Sequence, residues 1–314
     1  MPSVLYIVVP CYKDEDTLIA SVPVFLEKIG SLIGMGKIAP ASRLVLVNDG
    51  SPDRTWETIL SLREKHKTRI TAINLANNVG EQNALIAGMT YAAERADCVI
   101  TMDSDLQDDI NAVDQMLALY EEGKDIVLGV RSDRSKDGLF ERICSGSFYY
   151  LMKIAKTGLV HEHANYRLLS RKAIRRLLQD LPRNYYLPCV VSNLGMSSGI
   201  VTHVRTERIA GVSGYSLLKK LKLAKDALFA HSDVPLKIIS LIAICSLIFS
   251  AVCLFVDLFS AEQSSSRDNI TLFFCSLFFS VLFLILRIIG EYLFDLLSEI
   301  RRPEKYTIET ILDD

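Results

Sequence analysis

The stretch "ADCVITMDSDLQDDI" (96–110) joins a short apolar run directly to a group of carboxylates. Residues 98–100 have the composition of a buried strand, which then ends on Asp103 and Asp105. In an extended segment, side chains two residues apart point to the same side, so these two carboxylates aim at one point. Two carboxylates at one point repel each other unless a cation lies between them. The stretch therefore predicts a strand that ends on either a cation site or a solvated acidic loop.

The rest of the first two thirds of the chain repeats this alternation of apolar runs and polar ends. Short β-branched runs occur at 4–9, 43–47, 70–75, 97–102 and 125–129, and stretches with helical spacing occur at 17–29, 55–65, 81–95 and 113–122. Strands that alternate with helices predict an α/β domain with a mainly parallel sheet and helices on both faces. Such sheets bind ligands at the carboxyl ends of their strands, where the polar clusters of this chain lie.

Composition narrows the class of protein. Half of the 314 residues are hydrophobic, and the formal net charge is −2. A nucleic-acid-binding protein would normally carry a basic excess, so we expect no nucleic-acid partner. The seven cysteines are scattered singly, without a C-x-x-C pair, which is typical of a reducing compartment and argues against a zinc ribbon or a disulfide framework.

The last third of the chain has the character of a membrane anchor. Residues 238–256 and 270–286 contain no charged side chain. With their flanks, both segments reach the ~20 residues that a membrane-spanning helix needs, and the alternative is a pair of buried core helices. We predict a catalytic domain over 1–215, transmembrane helices over 234–258 and 270–292, an external loop over 259–269 and a cytoplasmic tail over 293–314.

Lysine and arginine residues set the orientation of this hairpin. They are frequent before the first span and after the second, whereas the connector carries only Arg267. The positive-inside rule therefore places both termini in the cytoplasm. Residues 216–233 combine an apolar face with several lysines, which predicts an amphipathic helix in the membrane interface or, alternatively, a helix packed on the domain.

The carboxylates that follow the apolar run 98–100 are candidate metal ligands. Asp103, Asp105 and the amide oxygen of Gln107 are the oxygen donors that Mg²⁺ or Mn²⁺ prefers. On spacing alone, the alternative of a solvated acidic loop stays open. We interpret Asp108 and Asp109 as helix-start residues, because a helical pattern begins near Ile110.

Six motifs in sequence order carry a resemblance to a known family. They are "VVPCYKDED" (8–16), "LVNDGSPDRT" (46–55), "NVGEQNALIAGM" (78–89), "MDSDLQDD" (102–109), "VLGVRSDR" (127–134) and "NYRLLSRKA" (165–173). Together they resemble the motifs of family 2 glycosyltransferases with the GT-A fold, and within them the polyprenyl-phosphate glycosyltransferases. The segment "RIIGEYLFDLLSEIRRPEKYTIE" (287–309) resembles the bacterial members, which carry two membrane helices.

The resemblance implies roles for the matching residues on the donor side. Asp103, Asp105 and Gln107 match the metal-site motif, which holds Mg²⁺ or Mn²⁺ against the donor diphosphate. The other donor-side matches are Pro10, Tyr12 and Asp14 for the first nucleotide-binding loop, Asp49 for the nucleoside, and Arg131 for the sugar and phosphates.

The resemblance also implies residues on the acceptor side. Arg167 matches the arginine that contacts the acceptor phosphate, and Arg208 matches an arginine of the segment before the membrane. Asn165 stands where most relatives carry Asp. Because a phosphate acceptor is already ionised and hardly needs a base, we interpret this change as tuning acceptor or sugar choice. Asp105, Arg167 and Asn165 are therefore the candidate catalytic residues.

The resemblance implies a bacterial inner-membrane enzyme. Such an enzyme would transfer one sugar, with inversion, from a UDP-linked donor to undecaprenyl phosphate at the cytoplasmic face, and would self-associate through its membrane helices. One alternative is a processive polysaccharide synthase, but those enzymes usually carry a Q-x-x-R-W motif, and the only tryptophan here is Trp56. The other alternative is a non-catalytic membrane scaffold that kept the fold.

Overall fold

The computed structural model describes residues 2–131, 163–182, 185–204 and 305–313, together with part of 278–296. The chain forms, in order, β1 (Leu5–Cys11), α1 (Glu15–Gly34), β2 (Arg43–Asn48), α2 (Thr55–Lys65), β3 (Ile70–Leu75), α3 (Glu81–Ala92), β4 (Cys98–Thr101), α4 (Ala112–Glu121), β5 (Ile126–Arg131), β6 (His163–Ser170), α5 (Arg171–Asp180), α6 (Leu187–Ser192), β7 (Ser198–His203) and β8 (Ile308–Leu312). The predicted α/β domain is confirmed for these residues.

These strands form one mixed, mostly parallel sheet with the order β7-β5-β6-β4-β1-β2-β3-β8. Strands β4, β1, β2 and β3 run parallel to one another, and β7 runs parallel to β5. Strand β6 lies antiparallel between β4 and β5, so it begins at the edge of the sheet where those two strands end. This inversion places the first residues of β6 beside the carboxylates that follow β4.

Helices cover both faces of the sheet, as predicted. Every residue of β1 is buried, and its alternate side chains enter two separate hydrophobic clusters. On one face Ile7 packs with Phe25 of α1, and on the other Val8 packs with residues of α3. Gly88 of α3 allows a close approach there, because a Cβ at this position would lie 2.4 Å from Val8 Cγ1.

In the described part of the chain, α1 is one helix that is long and apolar enough to cross a membrane. Leu18, Val22 and Phe25 are nevertheless fully buried against the sheet, as in the core helix of a folded domain. The predicted interfacial helix (216–233), the first span (234–258) and the external loop (259–269) lie outside the described residues. The described positions of the second span (270–292) are helical, and several of its apolar side chains are exposed, including those of Leu284 and Leu286.

Strand β8 was not predicted, because 293–314 read as a tail. It pairs antiparallel with β3 at one edge of the sheet. Side chains reinforce the pairing: Arg43 Nη1 lies 2.9 Å from Asp313 Oδ1, and Asn74 Nδ2 donates to Glu309 Oε2 over 2.7 Å. The end of the chain therefore belongs to the same folded body as its beginning.

Candidate active site

The candidate residues meet at the edge of the sheet where β1, β2, β4 and β5 end and β6 begins. Tyr12 and Asp14 follow β1, Asp49 follows β2, Asp103 and Asp105 follow β4, Arg131 ends β5, and Asn165 lies near the start of β6. Pro10 lies within β1, opposite Val47 of β2. Arg208 lies outside the described residues. The described motifs thus converge although they are far apart in sequence.

The loop after β4 presents the candidate metal ligands. Leu106 adopts a left-handed conformation with φ of 50° and is almost fully buried, which turns the loop sharply between Asp105 and Gln107. The backbone N–H of Gln107 donates to Asp105 Oδ1 over 3.1 Å, so the turn also fixes the Asp105 carboxylate.

The Asp103 carboxylate lies close to other carboxylates, which act on its pKa. Burial raises the pKa of Asp103 well above its usual range, and the Glu81 carboxylate adds to the rise. Asp108 and Asp105 act in the same direction, whereas the Arg131 guanidinium acts against it. A divalent cation at this point would offset the repulsion.

These residues fit an open metal site rather than a closed cage. Within the described ranges, no group of three or more His, Cys, Asp or Glu side chains is placed to hold a metal ion. Mg²⁺ is commonly held by one or two carboxylates together with water and substrate phosphates. Asp103 and Asp105 supply that number of carboxylates, so the remaining ligands would be the amide oxygen of Gln107, a diphosphate and water.

Asn165 links the loop after β4 to two further charged groups. Its Nδ2 donates to Asp103 Oδ1 over 3.3 Å and also to Glu81 Oε1, and its Oδ1 accepts from Arg167 Nη2 over 3.1 Å. Thr101 Oγ1 donates to the backbone carbonyl of Asn165, which fixes β6 against β4. An amide fits here because it can donate to two carboxylates while it accepts from a cation.

Arg167 is more deeply buried than we expect for a residue that contacts an acceptor phosphate. Its side chain is fully buried and hydrogen-bonded to Asn165. Burial lowers the pKa of Arg167 to about 10, and the charges of Asp103 and Glu81 act in the opposite direction. The guanidinium therefore stays charged at neutral pH and is placed as a counter-charge to these carboxylates. Its predicted contact with an acceptor phosphate stays a prediction.

The loop after β1 is attached to the loop after β4. Asp14 Oδ2 accepts from the backbone N–H of Tyr12 over 3.0 Å and from Ser104 Oγ over 2.9 Å. Burial raises the pKa of Asp14, and these two hydrogen bonds counteract the rise. Tyr12 is 40% exposed, and the Nζ of Lys13 lies over its ring, 5.6 Å from the centroid.

Asp49 holds the loop before α3. Its carboxylate is buried and accepts from the backbone N–H of Val79 over 2.8 Å and of Gly80 over 3.0 Å. Burial raises the pKa of Asp49, and the two backbone hydrogen bonds lower it. Gly80 has φ of 90°, a conformation that favours glycine, and Glu81 begins the helix. Asp49 therefore fixes the position from which Glu81 reaches Asn165; its predicted nucleoside contact stays a prediction.

The interpretation of Asp108 as a helix-start residue was wrong. Helix α4 begins at Ala112, and Asp108 is buried with its Oδ1 3.2 Å from Arg131 Nε and 2.9 Å from His203 Nε2. Asp109 lies nearer the predicted role, because its Oδ1 accepts from the backbone N–H of Asn111 over 2.9 Å.

Sequence reasoning missed Glu81 and His203 as members of this site. Glu81 lies inside the quoted segment "NVGEQNALIAGM", so the motif itself was a signal that could have found it. His203 lies in β7, which was not predicted as a strand, and no motif marked it.

Comparisons with known proteins show similarity to glycosyltransferases. Residues 6–178 match the family model described as Glycosyl transferase family 2. The chain is 34% identical to the uncharacterized glycosyltransferase YkoT of Bacillus subtilis (strain 168), over 98% of this chain and 91% of the relative. It is 28% identical to the SfII prophage-derived bactoprenol glucosyl transferase of Shigella flexneri, over 96% of each chain. It is 27% identical to the undecaprenyl-phosphate 4-deoxy-4-formamido-L-arabinose transferase of Pectobacterium atrosepticum, over 96% of this chain and 92% of the relative.

Proposed function

Because this chain belongs to glycosyltransferase family 2, we propose that it transfers a single sugar from a nucleotide sugar to a polyprenyl phosphate at the cytoplasmic face of a bacterial cell membrane. The donor is UDP-linked and the anomeric carbon is inverted. The observation that carries this proposal is the convergence of Asp103, Asp105 and Arg131 at one edge of the sheet. This is where an α/β sheet binds its ligands.

The donor side of the proposal rests on charge. As the sugar leaves, negative charge develops on the diphosphate, and a Mg²⁺ or Mn²⁺ ion held by Asp103 and Asp105 supplies positive charge there when it is bound. The Arg131 guanidinium offers planar, paired N–H donors that match phosphate oxygens. Gln107 follows the turn at Leu106 and adds a neutral oxygen ligand to the two carboxylates.

The acceptor side rests on the relatives and on Asn165. One relative is named a bactoprenol glucosyl transferase, and another is named an undecaprenyl-phosphate 4-deoxy-4-formamido-L-arabinose transferase. The two names share a lipid of the same class but give different sugars. Their names therefore support the acceptor class more than the sugar. A lipid phosphate is ionised near neutral pH and needs positioning rather than deprotonation. An amide at 165, which cannot act as a base, is compatible with such an acceptor.

The topology of the sheet is compatible with the proposed membrane hairpin. Strand β8 pairs with β3, so the chain beyond 204 returns to the body that it left. A segment that leaves and returns on one side of a membrane crosses it an even number of times. The proposed hairpin of 234–258 and 270–292 meets this condition. The exposed apolar side chains at the described helical positions of the second span fit contact with lipid.

A direct assay tests the proposal. The full chain in detergent is incubated with undecaprenyl phosphate, Mn²⁺ or Mg²⁺, and a panel of radiolabelled nucleotide sugars that includes UDP-glucose, UDP-galactose, UDP-N-acetylglucosamine and GDP-mannose. We expect a chloroform-soluble product that carries one sugar by mass spectrometry. A ladder of longer products would favour a processive synthase. The absence of lipid product with every donor would favour a non-catalytic scaffold.

A further inference from the structure

The buried carboxylate of Asp108 connects the candidate metal loop to two strands beyond it. Asp108 follows Gln107 directly and is only 3% exposed. Its Oδ1 accepts from Arg131 Nε over 3.2 Å and lies 2.9 Å from His203 Nε2. Burial alone would raise the pKa of Asp108, but the hydrogen bond from His203 and the charge of Arg131 hold it below its usual value. An ionised carboxylate only accepts hydrogen bonds, so the Nε2 of His203 donates.

The two partners of Asp108 are themselves fixed relative to each other. Arg131 and His203 are paired positions of the parallel strands β5 and β7. Parallel pairing puts both side chains on the same face of the sheet, so one carboxylate oxygen reaches both. The bond to Asp108 engages Nε of Arg131. Because the guanidinium is planar, a bond at Nε sets the orientation of the whole group.

The His203 ring is held in turn by Tyr166 of β6. The two rings meet edge to face, with centroids 5.2 Å apart. Tyr166 is fully buried, and its hydroxyl donates to the backbone carbonyl of Asp109 over 3.1 Å. Gly129 makes room for this ring, because a Cβ there would lie 2.8 Å from Tyr166 Cδ1. Gly129 therefore gives Tyr166 the space to pack against His203, which contacts the same Asp108 oxygen as Arg131.

Arg131 ends β5 at the same edge of the sheet as the loop after β4, and its Nε contacts Asp108, the residue that directly follows Gln107. We propose that Asp108 and His203 are positioning residues that hold the Arg131 guanidinium toward the diphosphate of the nucleotide-sugar donor. This inference rests on the proposed function, because that function places a diphosphate beside Arg131. Neither Asp108 nor His203 contacts the substrate in this account, and both act through Arg131.

A double-mutant cycle on nucleotide binding tests this coupling without turnover. The affinity of the full chain in detergent for UDP with Mn²⁺ is measured by calorimetry for wild type, Asp108→Asn, Arg131→Ala and the double variant. In the wild-type background Asp108→Asn weakens binding about ten-fold, whereas in the Arg131→Ala background it changes binding less than about two-fold. Asp114→Asn is the matched control, because it makes the same chemical change at a carboxylate of α4 that pairs with Lys28 and Lys37, and it leaves UDP affinity unchanged.

The outcomes separate this inference from the proposed function. Equal weakening by Asp108→Asn in both backgrounds, or no weakening in either, would overturn the inference alone. A wild-type chain that does not bind UDP with Mn²⁺ would contradict the proposed donor and overturn the inference with it. If Asp108→Asn does not fold, His203→Leu replaces it in the cycle, since it removes one of the two donors to the same oxygen. Its weakening, about three-fold, must likewise disappear in the Arg131→Ala background.

Discussion

Asn165 donates a hydrogen bond from its side-chain amide to the carboxylate of Asp103, across the boundary between β6 and β4. The register of the two strands fixes this contact, because Thr101 of β4 pairs with Arg167 of the antiparallel strand β6. Two residues after Thr101 and two residues before Arg167, the same register brings Asp103 and Asn165 together at the edge of the sheet. The same amide donates to Glu81 and accepts from Arg167. One neutral side chain thus lies between two carboxylates and a buried cation.

The first prediction concerns this amide. Asn165→Asp places a third carboxylate beside Asp103 and Glu81 and removes the donor that both accept from. We expect kcat/KM to fall at least about ten-fold at neutral pH, because like charges in a partly buried site disfavour one another. Steady-state kinetics of lipid-product formation measures this. Adding Glu81→Gln removes one of the carboxylates and is expected to restore part of the loss. An Asn165→Asp chain as active as wild type would contradict this account of the network.

The second prediction concerns Asp49, which holds the loop before α3. Asp49→Asn keeps one acceptor oxygen but sets an N–H₂ group against a backbone N–H, so a buried donor loses its partner. We expect a loss of about 1–3 kcal/mol in the free energy of unfolding, seen as a lower Tm. Asp16→Asn, at an exposed position of α1, is the control and is expected to keep the wild-type Tm. Equal Tm values for the two variants would contradict the structural role of Asp49.

The third prediction concerns the pH dependence of a surface ion-pair cluster. Burial alone would raise the pKa of Asp114, but hydrogen bonds and charges from Lys28 and Lys37 lower it. A carboxyl group with a lowered pKa in the folded state stabilises the fold above its unfolded pKa, and this contribution is lost as pH falls through the folded value. Asp114→Asn is therefore expected to lower stability by less than about 1 kcal/mol at pH 7, with no difference from wild type well below pH ~4. Thermal unfolding across this range checks the sign, and a difference that grew at acid pH would contradict it.

The fourth prediction concerns the C-terminal strand. Removal of 307–314 deletes β8, exposes the edge of β3 and breaks the ion pair between Arg43 and Asp313. We expect a Tm lower by several degrees, since both backbone pairing and buried area are lost. The point variant Asp313→Asn keeps β8 but removes the charge that pairs with Arg43 and Arg95, and it is expected to cause a smaller drop. A truncated chain with the wild-type Tm would show that β8 is dispensable for the fold.

Much of the sheet could be predicted because its signal is local. The apolar run at 70–75 coincides with β3, and the helical pattern at 55–65 coincides with α2. Strands β1 to β5 follow each other through ordinary helical crossovers, so alternation in sequence translates directly into a parallel sheet. The convergence of the polar ends follows from that topology, which is why the quoted motifs indicated the edge where the candidate site lies.

The features that were missed depend on contacts between distant residues. The side chains of β8 alternate between half-buried and exposed, but its sequence IETIL does not alternate apolar and polar residues, and its pairing with β3 is what makes it a strand. The residues next to Asp108 in the sequence predict a helix start. Its partners Arg131 and His203 lie 23 and 95 residues further along the chain, so the local sequence gives no sign of them. The burial of Arg167 likewise follows from strand β6, which lies between β4 and β5.

The proposed function places Asp105 in a metal-dependent sugar-transfer site that acts on a lipid phosphate. The most direct measurement compares Asp105→Asn with the matched surface variant Asp114→Asn in the formation of chloroform-soluble sugar lipid from undecaprenyl phosphate and the donor that wild type uses. Asp105→Asn should lower the rate at least about a hundred-fold while its Tm stays near that of wild type, and Asp114→Asn should retain the wild-type rate. A folded Asp105→Asn chain with wild-type activity would contradict the account.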